Sequence, residues 1–439
     1  MKLRWCDFCL CVAGSRSAVR FIVARMLDLF ESQSTGRSVS MTEIVEVGVL
    51  TRLFRRDVID EVLNETGRQE IRRRLLPARL VVYYVLCLAL FYGDAYEEVM
   101  RRLVGSFGRL RQWNDGWVVP SSGAISQARK RLGEQPLKEL FSRVALPLAR
   151  PGTQGCWYRD WRVMAIDGVV LDAPDTPENA EEFGRGGNHL ADSPFPQIRV
   201  VGLAECGTHA IVGAAMDGYH TYERALAVQL FPVIESNMIV LCDRGFFSYE
   251  HWRDACTTGA AMLWRVSSGL DLPVHHIHPD GSYRSQLAPR QMKIAYKQGK
   301  RRNIPEDLII PVRVIEYAIP NRTGKEETYR LITSLLDHTE APAQELAELY
   351  QQRWEFEIGL DEIETHQMGR PRVLRSKLPD LVRQEIWAFL LTHYAIRAFI
   401  HDAADDIGED PDRISFIRTL RIIRRNITAQ ADFPPSPDE

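Results

Sequence analysis

Residues 350–365 read YQQRWEFEIGLDEIET. At a helical advance of roughly 100° per residue, Tyr350, Arg353, Glu357, Asp361 and Glu364 fall within about 60° of one line. A tyrosine, an arginine and three carboxylates then share one stripe, while Leu346, Leu349, Trp354, Phe356, Ile358, Leu360 and Ile363 supply the apolar faces. Alone, such a stripe is a salt-bridged solvent face with Arg353 and Glu357 as an i,i+4 pair. Joined by acids from elsewhere in the chain, it becomes a metal-binding carboxylate beside two groups that can hold a phosphate. Two aspartates meet that condition: Asp167 in RVMAIDGVVLD and Asp243 in MIVLCDRGFF, both inside the continuous apolar runs of strands buried on two faces. An ionised carboxylate there is costly unless something pairs it. Singly, each reads as a strand-end aspartate bonded to a turn amide or to an arginine such as Arg244. Taken with Glu357 they form three acids that repel unless divalent cations lie between them, and oxygen donors select Mg²⁺ or Mn²⁺. Two such ions about 4 Å apart can activate a water or a 3′-hydroxyl and stabilise the leaving oxygen of a phosphodiester.

These residues need elements to hold them. Residues 41–150 read as helices (43–54, 56–66, 71–91, 95–103 and 136–146) punctuated by Gly93, Gly105 and Gly108. Pro120-Ser121-Ser122 caps a further helix, 124–132, which carries Arg129, Lys130 and Arg131. Across residues 101–131 seven Lys/Arg stand against one acid, Asp115, interleaved with Trp113 and Trp117, a composition that suits a DNA-binding surface and equally a solvated basic face. After a linker at 152–158 the pattern turns to strands (162–171, 197–204, 209–215), a helix (222–234), a strand (238–242), a helix (249–257) and a strand (260–266). That order predicts an α/β, RNase H-like mixed sheet in which the first strand, carrying Asp167, and the fourth, with Asp243 at its carboxyl end, are neighbours and the Glu357 helix packs on the sheet. Residues 267–330 interrupt the alternation with polar strands and a loop, 281–302, that holds seven Lys/Arg and no acid. A helix at 379–400, an acidic run at 402–410, a basic helix at 413–425 and a disordered tail complete the chain.

The Tyr350, Arg353 and Glu357 spacing resembles the Y-x2-R-x3-E-x6-K signature of the insertion sequence 4 family of DDE transposases, as do the flanking QRWEFE and HQMGRPR. The stretch LTRLFRRDVIDEVLNETGRQEIRRRLLPARLVVYYVLCLALF is similar to that family's N-terminal helical domain. The resemblance implies an RNase H-like core in two parts (155–266 and 336–400) split by a β-rich basic insertion (267–335). An all-helical DNA-binding domain (41–150) would precede it, after a leader of uncertain start (1–40), and a C-terminal helical segment with a tail (401–439) would follow. It further implies Asp167, Asp243 and Glu357 as a catalytic triad holding two Mg²⁺ or Mn²⁺ ions, with Tyr350 and Arg353 on a DNA phosphate near the cleaved bond. Arg129, Lys130, Arg131, Lys300, Arg301 and Lys- and Arg-rich neighbours such as Arg302 are further candidate phosphate contacts. Trp264 is a candidate for stacking on an unpaired base, or else a core tryptophan. The implied activity is cleavage at insertion-sequence ends and joining of the freed 3′-hydroxyl to target DNA by a homodimer on double-stranded DNA. One position departs from the family: its lysine is Glu364 here, so Arg370, Arg372, Arg375 or Lys377 must substitute or DNA binding is weakened.

Composition neither demands nor forbids this reading, since the net charge is −3 and the pI near 6.4. The eight cysteines are scattered, several in apolar runs, which fits reduced thiols in a cytoplasm; Cys6 and Cys9 lack a second pair at zinc spacing. The 13-residue apolar run 80–92 is too short to cross a bilayer. His275, His276 and His278 cluster beside a Pro279-Asp280-Gly281 turn and make a weak metal signal, and no Walker loop or nucleophile elbow follows a strand. A nuclease on the same fold and a decayed transposase that only binds DNA are the competing readings.

Overall fold

The computed structural model describes residues 48–70, 74–105, 118–187, 192–298, 303–320, 326–369 and 373–426. The expectations for the leader, Trp113, Trp117, Lys300, Arg301, Arg302, Arg370, Arg372 and the tail lie outside those residues. The chain divides into two compact units. One comprises Gly155–Val170 and Ile198–Ile358; the other comprises the described residues up to Gln154, Leu171–Gln197, and those from Gly359 onward.

The first unit is built on a ten-stranded mixed sheet. Its strands are β1 (Trp157–Tyr158), β2 (Trp161–Asp172), β3 (Gln197–Glu205), β4 (Ile211–Gly218), β5 (Met238–Cys242), β6 (Ala261–Val266), β7 (His276–Ile277), β8 (Tyr283–Leu287), β9 (Ile310–Pro320) and β10 (Glu326–Thr333). Their order is β4-β3-β2-β5-β6-β10-β9-β8-β7, with β1 paired to β2. The first five positions give the expected RNase H-like core, with β5 parallel to both β2 and β6. All five residues of β5 are buried, as a run of MIVLC in a sheet covered on both faces requires. The β-rich insertion continues the same sheet: β10 pairs antiparallel with β6, Leu331 opposite Arg265 and Ile332 opposite Trp264. The unpaired amides and carbonyls at the β6 edge are thereby satisfied, and Leu331 and Ile332 are buried.

The single helix predicted over 350–365 is four pieces. Ala343–Tyr350 is α-helical, Gln351–Arg353 forms one 3₁₀ turn, Trp354–Asp361 is α-helical again, and Glu362–Met368 is π-helical. The π-helical bonding breaks the 100° count beyond Asp361, so the predicted position of Glu364 on the stripe does not hold.

The second unit is helical. Its central helix, Ala78–Leu90, is buried along its whole apolar length from Val81 to Leu90, so the 80–92 run is a core helix. It starts at Ala78, where Pro77 sits at its N-cap in an extended conformation (ψ 154°); the start predicted at residue 71 lies outside the described residues. A helix apolar on all sides needs cover on all sides, and the 29-residue helix Pro379–Ile407, packed against it, supplies part. The N-terminal helices and the C-terminal ones therefore share one core. The predicted cap is present: the Ser121 side chain accepts from the Ala124 amide (3.3 Å) at the start of Ser122–Leu132. Among the described residues no helix is long and apolar enough to cross a membrane, and the described cysteines, Cys87, Cys156, Cys206, Cys242 and Cys256, are free thiols.

Candidate active site

The register of β2 and β5 aligns Ile166 with Cys242. One residue further along the two parallel strands, Asp167 within β2 and Asp243 just past the end of β5 lie side by side on the same face. Asp167 is fixed by its neighbour, whose Gly168 amide donates to Oδ1 (2.8 Å). Asp243 receives the Tyr350 hydroxyl (Oδ1, 3.5 Å), which also donates to the Cys242 carbonyl (3.3 Å).

Glu357 arrives from the Trp354–Asp361 helix, and that helix is seated by a glycine. A Cβ at Gly202 on β3 would stand 2.9 Å from the Phe356 ring, closer than carbon atoms pack. The bare backbone at 202 therefore makes room for the Phe356 ring against the sheet, with Glu357 next to it in the chain. Two further contacts pin the same segment: the Gly207 amide donates to Glu355, and the Cys206 thiol to the Gln352 carbonyl (3.6 Å).

Arg353 lies at the centre. It is buried (6% exposed), with Nη1 2.5 Å from Asp167 Oδ2 and Nη2 3.1 Å from Glu357 Oε1. Side-chain exposure rises from Asp167 (19%) through Asp243 (32%) to Glu357 (44%), so the acid cluster opens to solvent on the Glu357 side. Burial pushes the Asp167 carboxyl above the usual carboxylate range; Gly168 and Arg353 oppose the shift, and Glu357 and Asp243 add to it. Burial also works against the charge of Arg353, yet Tyr350, Asp167, Glu357 and Asp243 outweigh it and hold the guanidinium protonated more firmly than in a free arginine. Burial raises the Tyr350 hydroxyl far above its ordinary range, so it acts as a neutral donor.

Five residues singled out from the sequence thus come together: Asp167, Asp243, Tyr350, Arg353 and Glu357. The donor set is carboxylate oxygen throughout, the chemistry of a hard divalent cation. The acids surround the guanidinium, and their oxygens do not all lie within 4.8 Å of one another. Three other acids near these in the sequence, Asp172, Asp175 and Asp361, are engaged elsewhere. Asp172 takes the Gln197 amide (2.9 Å), Asp175 pairs with Arg185 (2.5 Å), and Asp361 accepts from Thr365 (2.5 Å).

Two expectations are corrected. Trp264, offered as a base-stacking residue or else a core tryptophan, is the latter: it is 2% exposed and packs edge to face on Trp252 at 5.3 Å. It aligns with Cys242, one residue before Asp243, so strand alternation turns it to the opposite face. Its neighbour Arg265 takes the face that Trp264 was expected to fill, 3.8 Å from Asp243 and 2.7 Å from Glu327, with its guanidinium 3.9 Å over the Tyr329 ring. Arg129, expected on DNA, is 1% exposed. It donates to Gln384, Tyr96, Ser376 and the Leu381 carbonyl at 2.9–3.3 Å, because a guanidinium buried in a helical core must satisfy its donors there. Lys130 and Arg131 on the same helix are exposed. Arg375 is also spent internally, on the carbonyls of Tyr92 and Asp94, while Lys377 is exposed. In the histidine cluster the His276 and His278 rings meet edge to face at 5.0 Å and His278 stacks on His338 at 4.6 Å, an aromatic arrangement rather than nitrogens converging on one point.

Comparison with known proteins fits this geometry. The chain matches the family described as insertion element 4 transposase N-terminal over residues 44–142, and the transposase DDE domain over residues 159–394. The transposase InsG for insertion sequence element IS4 of Escherichia coli (strain K12) is 28% identical over 371 residues, covering 84% of this chain and 80% of its own. The putative transposase InsZ of the same organism is 29% identical over 196 residues, 44% of this chain and 62% of its own. A solved piggyBac transposase synaptic complex with hairpin DNA aligns over 87% of this chain and 79% of its own at 11% identity, with a TM-score of 0.44 that carries no conclusion. The DDE domain alone accounts for more than half of the 439 residues, and the chain belongs to the insertion sequence 4 family of DDE transposases, enzymes of DNA transposition.

Proposed function

We propose that this transposase cuts at the ends of its insertion sequence and joins the freed 3′-hydroxyl to target DNA, using Asp167, Asp243 and Glu357 to hold two Mg²⁺ or Mn²⁺ ions. The observation that carries this reading is the meeting of those three acids with Tyr350 and Arg353 at one solvent-open site beside the interior strands β2 and β5. When bound, the ions supply Lewis-acid activation of the attacking oxygen and stabilisation of the leaving one. The chain's own groups do the rest. Arg353 offers a planar fork for two phosphate oxygens and the Tyr350 hydroxyl a neutral donor, together fixing the scissile phosphate in line with its nucleophile. In the first step a water oxygen bonds to phosphorus, the P–O3′ bond breaks, and the departing O3′ takes up a proton. In the second, that 3′-hydroxyl loses its proton as it bonds to a target phosphorus and expels the target's own O3′. One phosphodiester bond replaces another, so joining needs no external energy source.

Exposed Lys130 and Arg131 and the basic residues Lys300, Arg301 and Arg302 are further candidate contacts to the DNA backbone. A homodimer would pair the two ends, working on chromosomal DNA in the bacterial cytoplasm. The test is incubation of the protein with linear DNA carrying the element's termini and Mn²⁺, beside an Asp243→Ala control, followed by addition of a pre-cut end and a plasmid. Cleavage and joining that both vanish in the variant are expected. Cleavage without joining would leave a nuclease on this fold, and DNA binding with neither would leave a binding protein.

A further inference from the structure

Arg353 makes contacts that a phosphate-binding arginine does not need. Its Nη1 lies on Asp167 Oδ2 and its Nη2 on Glu357 Oε1, while the other Asp167 oxygen takes the Gly168 amide. The guanidinium thus stands among the same oxygens that the proposed triad offers to cations, and a divalent ion placed there would face its charge at close range. The side chain is buried, and its Nε has no partner among the described residues. The backbone that carries it is irregular: Arg353 closes the 3₁₀ turn between two α-helical segments, a local geometry that commonly marks a hinge.

We propose that Arg353 is an electrostatic latch, holding Asp167 and Glu357 paired in the DNA-free enzyme and releasing them to metal ions when a DNA phosphate takes the guanidinium over. This inference rests on the triad reading above and adds a coupling to it. One positive group is exchanged between two carboxylates and one phosphate, so metal and DNA each strengthen the binding of the other by the same factor. The free enzyme is then poorly loaded with metal, which keeps the hydrolytic site quiet away from its substrate.

The experiment is a titration of full-length protein with Mn²⁺, followed by electron paramagnetic resonance, without DNA and then with a duplex of the element's end. Wild type should bind Mn²⁺ weakly alone and about tenfold more tightly with the duplex. Arg353→Gln should bind tightly without DNA and gain little from it. Arg353→Lys, which keeps a charge but cannot fork across both acids, should fall between. The wild-type comparison needs no variant, so a misfolded substitution does not shield the idea. If Mn²⁺ binding depends on Asp243 yet is unchanged by both DNA and Arg353→Gln, the latch is wrong and the triad stands. If no Asp243-dependent binding occurs even on DNA, the triad reading fails and takes the latch with it.

Discussion

At the scale of single residues, the site shows how one side chain's surroundings decide what its charge costs. Asp167 has its pKa raised by burial. A group whose folded pKa lies above its unfolded one contributes stability below the unfolded value, and that contribution is lost as pH rises through the folded one. Ionised Asp167 is therefore a burden at neutral pH. Asp167→Asn, in chelator, should melt higher than wild type at pH 7.5 and lose that advantage near pH 4, while cleavage is abolished; a lower melting point at pH 7.5 would mean that Arg353 more than repays the burial. The Ser122–Leu132 helix offers a second contrast. Arg129→Ala removes one partner of a buried network and should cost about 3 kcal/mol or more of stability. Lys130→Glu with Arg131→Glu should leave the stability within about 0.5 kcal/mol of wild type and weaken DNA binding, the loss shrinking at high salt. Denaturant melts and binding isotherms at two salt concentrations separate the two behaviours.

At the scale of elements, the Glu357 segment depends on what lies beneath it. Gly202→Ala puts a methyl 2.9 Å from the Phe356 ring, which should cost about 1–3 kcal/mol as overpacking and displace the helix. End cleavage should fall further than stability does, since Glu357 moves with Phe356. Adding Phe356→Leu should restore part of the activity, and no restoration would mean that Gly202 acts through the strand and not through the helix. The π-helical segment Glu362–Met368 removes the α-helical reason for placing Glu364 on the phosphate stripe. Glu364→Lys should raise or leave unchanged the affinity for end DNA, read by gel shift; a clear loss would assign Glu364 a positive role.

At the scale of the whole molecule, the acids carry their own counter-charges in Arg353 and Arg265 and a neutral hydrogen bond from the Tyr350 hydroxyl. A fold that neutralises its metal ligands internally does not need the metal to stand. Chelation should therefore abolish cleavage and shift the melting temperature by no more than a few degrees, unlike a structural metal site, whose removal unfolds its domain. The sequence by itself determined the core strands β2 to β6, because apolar runs such as MIVLC in β5 are local consequences of burial, whereas β8 and the helix Arg290–Lys297 lie in what reads as a basic loop. It also determined which acids to consider, because a carboxylate inside such a run has few stable uses. Tertiary structure alone decided which face each neighbour takes, so that Arg265 and not Trp264 stands beside Asp243, and Arg129 turns inward while Lys130 turns out. Those outcomes rest on strand register and on which helices share a core, and both are contacts between residues far apart in the chain, which no local pattern encodes.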